Sequence, residues 1–286
     1  MRSIQVLRYL ASAPDERVGV RTLAASLKMA PSTVHRVLTA LVAEGLVEHR
    51  PDTGLYGLGL EMVRLAHVVV ERLPIQKIAM PYLRELVKAA KETALLGLYD
   101  RTRQEVMFVA SAESTQPLRY VNRMRTWLPI HAGATGLAIM AFLPEEEREE
   151  VIVRSGLAPI TDRTVTDRRK LEQLLERIRR NGYACTIGQR TPGAVAVAAP
   201  IFGPGSEVIG DIIITLPEQR FDRANEAYLA SQVVRCARAV THELGGPVPD
   251  AVSSASSQAF PLNRSSRASA GVQAAARAGR RATLAG

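Results

Sequence analysis

The chain has 286 residues, of which 47% are hydrophobic and 23% are charged. This composition is that of a globular protein, and the length suggests two domains rather than one. No apolar run reaches the roughly 18 residues of a membrane-spanning helix, and the N-terminus, with an Arg in its apolar stretch, does not resemble a signal peptide. Two cysteines are too few for a disulfide framework or an unaided zinc site. We therefore expect a cytoplasmic protein without a membrane partner.

The net charge of +9 favours a polyanionic partner, but the charge is unevenly distributed. The last forty residues contain five Arg and one Asp, so nearly half of the excess lies there. Charge alone is therefore a weak argument for nucleic-acid binding. Residues 247–286 are also rich in Ala and Ser and almost free of large apolar side chains, which predicts a disordered basic tail.

The first sixty residues predict three short helices followed by a β-hairpin. Pro14 ends the first helix, the second runs from about Val20 to Leu27, and Pro31 opens the third. The third helix has an apolar stripe at helical spacing, formed by Val34, Val37, Leu38 and Leu41. The hairpin has strands at 46–50 and 55–58 around the turn 51–54. This order is that of a winged helix-turn-helix domain over residues 1–60.

In such a domain the N-terminal half of the third helix enters the major groove of DNA. Hydroxyl groups and free backbone N–H groups suit phosphates or base edges, and a guanidinium suits bidentate contacts, which makes Arg36 the strongest candidate. The alternative is a helical domain that serves protein contacts, with Arg36 simply solvated. The predicted DNA contacts are Arg21, Thr22, Ser32, Thr33, His35, Arg36 and, near the hairpin tip, Arg50.

The remaining chain divides into a helical connection and an α+β domain. Residues 61–91 are helical and predict a linker. Residues 92–246 predict six strands, at 94–100, 105–112, 118–123, 183–187, 194–202 and 208–216. The predicted helices are at 132–143, 145–154, 167–181 and 222–244. Two groups of three strands around helices favour a mostly antiparallel six-stranded sheet flanked by helices.

A run of small residues at 132–136 stands at the start of one of these helices. Small side chains let a ligand approach the free N–H groups of a helix start, where the dipole favours an anion. Tight packing of the helix on the sheet explains the same residues equally well, and His131 is more typical of a structural histidine. Polar candidates on the neighbouring strands are Thr186, Gln189 and Thr215.

At residues 1–246 the sequence resembles the IclR-type (isocitrate lyase regulator) family of bacterial transcription factors. The resemblance is carried by Ser-Thr-Val-His-Arg at 32–36, Pro-Ile-His-Ala at 129–132, Gly-Tyr-Ala at 182–184 and Ala-Ala-Pro-Ile at 198–201. It implies a DNA-binding domain, a linker helix and a GAF-like effector-binding domain. It also implies homodimers or tetramers on palindromic operator DNA.

The resemblance also implies which residues contact the effector. By position they are Leu128, Ala134, Thr135, Thr186, Ala196, Ile213 and Thr215. Many family members have an acidic stretch after Gly-Tyr-Ala, whereas this chain has Thr-Ile-Gly-Gln at 186–189, followed by Arg190. The loss of carboxylates and the added arginine favour an anionic effector, which we expect to be a small organic acid. A degenerate pocket is the alternative.

The sequence lacks the patterns of an enzyme and predicts no cofactor. Cys185 lies in a predicted strand and Cys236 in the middle of a helix, so both are expected to be inert buried thiols. Two other functions remain open at this point. One is a ligand-independent DNA-binding protein whose C-terminal domain serves only oligomerisation, and the other is an enzyme that regulates its own gene.

Overall fold

The computed structural model describes residues 2–72, 74–120 and 122–247. Its contacts divide the chain into two units, Met1–Pro74 and Ile75–Gly286. The predicted tail lies outside the described residues except for Pro247. Among the described residues, no helix is both long and apolar enough to cross a bilayer.

The first unit is a helical domain with a small three-stranded sheet. Its strands pair antiparallel in the order β1-β3-β2. The helices are α1 (Arg2–Ser12), α2 (Val20–Leu27), α3 (Pro31–Ala43) and α4 (Leu60–Arg72), and the strands are β1 (Val18–Gly19), β2 (Val47–Arg50) and β3 (Leu55–Leu58). The predicted three helices and hairpin are confirmed. The additional β1 has two residues, too short to show an alternating pattern.

The apolar stripe of α3 forms the centre of this unit. Val34 and Leu38 are completely buried against Val6 of α1 and Leu23 of α2. Burying such a side chain contributes about 1.5–3 kcal/mol, so the stripe fixes the rotation of α3 about its axis. The opposite face of α3 is consequently turned toward solvent.

The second unit is an α+β domain with a six-stranded sheet, as predicted. Every strand pair in it is antiparallel, in the order β6-β5-β4-β9-β8-β7. The strands are β4 (Thr93–Asp100), β5 (Glu105–Ala112), β6 (Trp127–Pro129), β7 (Ala184–Ile187), β8 (Ala194–Phe202) and β9 (Val208–Pro217). The helices are α5 (Pro74–Ala90), α6 (Gly133–Met140), α7 (Glu145–Ser155), α8 (Arg168–Asn181) and α9 (Glu226–Glu243). The segment predicted as a linker, 61–91, contributes α4 to the first unit and most of α5 to the second.

The strand predicted at 118–123 is wrong, and the sixth strand is the short β6 instead. Leu118, which a buried strand would enclose, is 62% exposed. The Tyr120 hydroxyl donates a hydrogen bond to the Pro192 carbonyl at 3.0 Å, and Asn122 Nδ2 donates to Thr215 Oγ1 at 3.0 Å. Side-chain hydrogen bonds therefore hold this segment in place, whereas the sequence pattern predicts the backbone hydrogen bonds of a β-strand.

Helix α6 occupies the middle of the second unit. All eight of its residues are buried, and it contacts β5, β7, β8, β9 and α8. Small side chains in its first turn, from Gly133 to Gly136, allow this close approach on several sides. The first turn of α6 thereby meets the inner face of the sheet.

Candidate functional site

The predicted DNA contacts of α3 lie on its solvent face. Ser32, His35 and Arg36 are exposed and Thr33 is half-buried. Within the part of the chain that the structure describes, the Arg36 side chain forms no hydrogen bond or ion pair, so its guanidinium is available to a partner. Ala30 provides no side-chain cap to the helix, Pro31 has no N–H, and the Thr33 N–H donates to the Ala30 carbonyl at 2.9 Å. The Ser32 N–H is therefore the first-turn donor left open among the described residues.

Three further predicted contacts lie outside α3. Arg21 and Thr22 are exposed at the start of α2. Arg50 ends β2 at the hairpin turn, and its Nε lies 3.3 Å from Glu48 Oε1. This ion pair is exposed and therefore weak, so it leaves Arg50 able to exchange Glu48 for a phosphate.

A cavity of about 370 Å³ lies in the second unit between the first turn of α6 and the sheet. The register places Thr186, Ala196 and Thr215 side by side on β7, β8 and β9. Seven of the eight predicted effector residues line this cavity, namely Leu128, Ala134, Thr135, Thr186, Ala196, Ile213 and Thr215. The remaining lining residues are Phe108, Tyr120, Asn122, Arg123, Gly133, Arg190, Thr191 and Ala194.

The eighth predicted effector residue, Gln189, does not line the cavity. Its side chain borders a neighbouring depression that Cys185 also lines. Its backbone carbonyl accepts hydrogen bonds from the hydroxyls of Thr161 at 3.2 Å and Thr164 at 2.8 Å. Strand β7 ends at Ile187, so the alternation of side chains between the two faces of the sheet does not extend to Gln189.

Among the described residues, the charged ones that line the cavity are two arginines, Arg123 and Arg190, and none of them is a carboxylate residue. Arg190 Nη2 donates hydrogen bonds to the carbonyls of Pro129 and Ala132, just before α6. Burial lowers the pKa of Arg190 to about 10, so it remains a cation at neutral pH. Gly133 has φ +79°, and a Cβ there would lie 2.9 Å from Arg190 Nε, which explains the glycine at this position.

Sequence reasoning missed Tyr120, Asn122 and Arg123, which border the cavity. The sequence pattern predicts a strand that contains Tyr120 and Asn122, although polar residues in the order Tyr-x-Asn-Arg are unusual for a buried strand. In the structure Asn122 holds Thr215 at the cavity wall. The segment thus adds hydrogen-bonding groups and the exposed Arg123 to the site.

Asp211 of β9 is a second residue that sequence reasoning missed. It is completely buried, and burial raises its pKa from 3.8 to about 7. The neighbouring Thr135 hydroxyl and Arg190 charge oppose this rise. Among the described residues, neither carboxylate oxygen of Asp211 nor Thr135 Oγ1 makes a hydrogen bond of good geometry, although Thr135 is a close polar neighbour of the carboxylate. The sequence does contain a signal for it, because an aspartate within the apolar run of β9 indicates an unusual buried carboxylate.

The two thiols lie in environments that suppress ionisation. Burial raises the pKa of Cys185 to about 12, and the pKa of Cys236 is raised for the same reason. Within the described ranges, no group of His, Cys, Asp or Glu side chains is arranged to hold a metal ion.

The chain is similar to known proteins along both units. The family model of the IclR helix-turn-helix domain matches residues 1–51, and that of the bacterial transcriptional regulator IclR C-terminal domain matches residues 67–242. HTH-type transcriptional regulator Rv1719 of Mycobacterium tuberculosis is 36% identical over 241 residues, covering 82% of this chain and 87% of the relative. The glycerol operon regulatory protein of Streptomyces griseus is 30% identical over 246 residues, covering 85% and 95%.

The likeness extends to a solved structure. The crystal structure of the Thermotoga maritima IclR superposes with a TM-score of 0.67 at 26% identity, covering 85% of this chain and 97% of that one. The relatives named above are regulators of transcription and not enzymes. With both family domains matched in order, the chain belongs to the IclR family of bacterial transcriptional regulators.

Proposed function

We propose that a small organic acid bound in the α6 cavity controls the binding of this regulator to operator DNA. The observation that carries the proposal is the charge of the cavity, because its lining, as far as the structure describes the chain, contains Arg123 and Arg190 and no carboxylate residue. A volume of about 370 Å³ is within the usual range for small-molecule sites. An anion is therefore the ligand that this lining favours electrostatically.

The carboxylate is placed at the first turn of α6, near Ala134 and Thr135. The helix dipole favours negative charge there, and Arg190 supplies a guanidinium for a charge-assisted hydrogen bond. The apolar part of the acid lies against Leu128, Ala196 and Ile213. This pose leaves no ligand charge unpaired.

The acid acts by favouring one state of the DNA-binding units over another. A ligand without such a differential affinity cannot change operator binding. By linkage, operator DNA must alter the affinity for the acid by the same factor. We further propose that the chain acts as a homodimer or tetramer on a palindromic operator, with α3 in the major groove.

Replacing Arg190 with Gln is expected to weaken binding of the acid by at least about tenfold, because a charge-assisted hydrogen bond is lost. The measurement is a thermal-shift and calorimetric screen of small carboxylates on the full chain, with the parent and the variant side by side. Arg169→Gln is the matched control, since Arg169 is exposed on α8 and does not line the cavity.

The same screen can also contradict the proposed function. Operator DNA is first selected from a random duplex library, and its affinity is measured with and without each carboxylate. If no carboxylate shifts the melting temperature or the DNA affinity, the second unit serves assembly alone and the proposal fails. Equal affinity of an acid for the parent and for Arg190→Gln would place the anion elsewhere.

Arg36→Ala is expected to cost about 1–3 kcal/mol of operator binding with the fold intact, because an exposed guanidinium that contacts a base or phosphate is removed. Fluorescence anisotropy at fixed physiological salt measures the loss. Arg8→Ala, an exposed arginine of α1 outside the predicted contacts, is the control. Unchanged affinity for Arg36→Ala would contradict the assignment of α3 as the recognition helix.

A further inference from the structure

Two buried polar side chains lie close together where the first turn of α6 meets the sheet, Thr135 on α6 and Asp211 on β9. Thr135 is 2% exposed and Asp211 is 0% exposed. Among the described residues, neither Thr135 Oγ1 nor either carboxylate oxygen of Asp211 makes a hydrogen bond of good geometry, although the Thr135 hydroxyl is close enough to Asp211 to lower the pKa of its carboxylate. Folded proteins satisfy the large majority of buried polar atoms, so three unsatisfied atoms in one place require an explanation.

The position of Asp211 relates it to the cavity. Strand residues two apart share a face, and the register along β9 is unbroken from Asp211 through Ile213 to Thr215. Ile213 and Thr215 line the cavity, whereas Asp211 lies one step beyond the lining. Thr135 both lines the cavity and neighbours the Asp211 carboxylate. The hydroxyl therefore stands between the cavity and the carboxylate.

The sheet is built to accommodate this carboxylate. Gly97 is the partner of Asp211 on β4, and a Cβ at Gly97 would lie 2.1 Å from Asp211 Oδ1. Any side chain at Gly97 would thus displace the carboxylate. The charged group whose field acts on Asp211 is Arg190, and the polar group is Thr135. The other residues that pair with Asp211 or flank it on the strand, Pro200, Gly210 and Ile212, carry no charge.

A threonine hydroxyl can accept one hydrogen bond while it donates another. When Thr135 donates to the Asp211 carboxylate, its oxygen keeps an acceptor site, and Thr135 is the one of the two residues that lines the cavity. A ligand that brings a donor to this oxygen completes a chain of hydrogen bonds that runs from the ligand through Thr135 to Asp211. An acid that lacks the donor leaves the chain of polar groups incomplete, and sites of this kind discriminate strongly against such analogues.

We propose that the effector is an organic acid bearing a hydrogen-bond donor, a hydroxyl or an amine, close to its carboxylate, and that Thr135 and Asp211 select for this donor. The inference rests on the proposed function, in which Arg190 binds the carboxylate itself. Thr135 contacts the ligand, and Asp211 is a positioning residue that acts through Thr135. A pKa of about 7 leaves much of the Asp211 carboxylate ionised near neutral pH and able to accept the hydrogen bond.

The test compares acids that differ only in the donor. One set is propionate, lactate and alanine, and a larger set on a shared skeleton is 3-phenylpropionate, 3-phenyllactate and phenylalanine. Calorimetry on the full chain is expected to show that the hydroxyl- or amine-bearing member of a set binds at least about tenfold more tightly than the plain acid. The lactate and alanine arms distinguish a hydroxyl donor from an amine donor.

Two variants assign the preference to the proposed residues. In Asp211→Asn and in Thr135→Val, which keeps the volume of threonine, the preference is expected to fall below about twofold. Asp162→Asn, the same substitution at an exposed position, is expected to retain it. Far-UV circular dichroism and the melting temperature confirm that each variant is folded, and the ratio within one variant is insensitive to a general loss of stability.

The outcomes separate this inference from the function on which it rests. Equal binding of the plain and donor-bearing acids to the parent would overturn the selection while leaving an acid-controlled regulator. A preference that persists in both variants would likewise overturn the roles of Thr135 and Asp211. Binding by none of the six compounds, with no acid in the wider carboxylate screen active either, would overturn the proposed function itself.

Discussion

The free energy of unfolding of the parent protein is expected to fall as the pH rises, and Asp211→Asn is expected to remove this pH dependence. Burial raises the pKa of Asp211 from 3.8 in its ordinary state to about 7 in the folded protein. The folded protein binds the proton of the Asp211 carboxyl group more tightly than the unfolded chain does, so protonation of Asp211 stabilises the fold. This stabilisation is fully present below about pH 3.8 and is lost as the pH rises through about 7. At about 1.4 kcal/mol per pKa unit, the whole change is about 4 kcal/mol.

Urea unfolding of the second unit at two pH values measures this effect. Between about pH 5 and pH 8.5, the parent is expected to lose about 3 kcal/mol of unfolding free energy that Asp211→Asn retains. Asp162→Asn, at an exposed position, is expected to follow the parent. An identical pH slope for the parent and for Asp211→Asn would show that this carboxylate is not held neutral by burial.

Ala134→Leu is expected to abolish the response to the effector while DNA binding is spared. Ala134 is 2% exposed and lines the cavity in the first turn of α6. Three added carbon atoms there occupy the place assigned to the ligand carboxylate. An affinity loss of at least about a hundredfold is expected, because overpacking a close-packed site is itself unfavourable by about 1–3 kcal/mol before any ligand contact is lost.

The calorimetric experiment includes a second cavity variant and a control. Ala196→Leu blocks the opposite wall on β8, where the half-buried side chain lines the same cavity. It tests the site independently if Ala134→Leu proves unstable. Ala227→Leu makes the same change at an exposed position of α9 and is expected to respond as the parent does. Ligand affinity equal to that of the parent in both cavity variants would place the effector elsewhere.

Local patterns in the sequence were sufficient for most of the fold. The apolar stripe of Val34, Leu38 and Leu41 defines α3 and its buried face, because residues spaced three and four positions apart lie on the same side of a helix. The residues between them lie on the exposed side. Pro31 and Gly54 mark the start of α3 and the hairpin turn through their own backbone preferences. The exposure of Ser32, His35 and Arg36 follows from the same periodicity, while their contact with DNA remains a prediction.

The position of the effector candidates in one cavity depended on the resemblance to the family more than on local pattern. Thr186, Ala196 and Thr215 are far apart in the sequence and meet only because β7, β8 and β9 pair in register. Gln189 has the same polar character as Thr186, yet it lies outside the cavity because β7 ends at Ile187. Pattern alone does not reveal where a strand ends to within two residues.

Other features were decided by the tertiary structure alone. The segment 118–123 alternates like a strand, but Tyr120 and Asn122 bond to the Pro192 carbonyl and to Thr215, and such partners are invisible to a local pattern. The pKa of Asp211 likewise depends on residues that are far from it in the sequence. A carboxylate acquires a pKa of about 7 only when Gly97, α6 and the sheet enclose it together, since desolvation depends on every element that excludes water from the group.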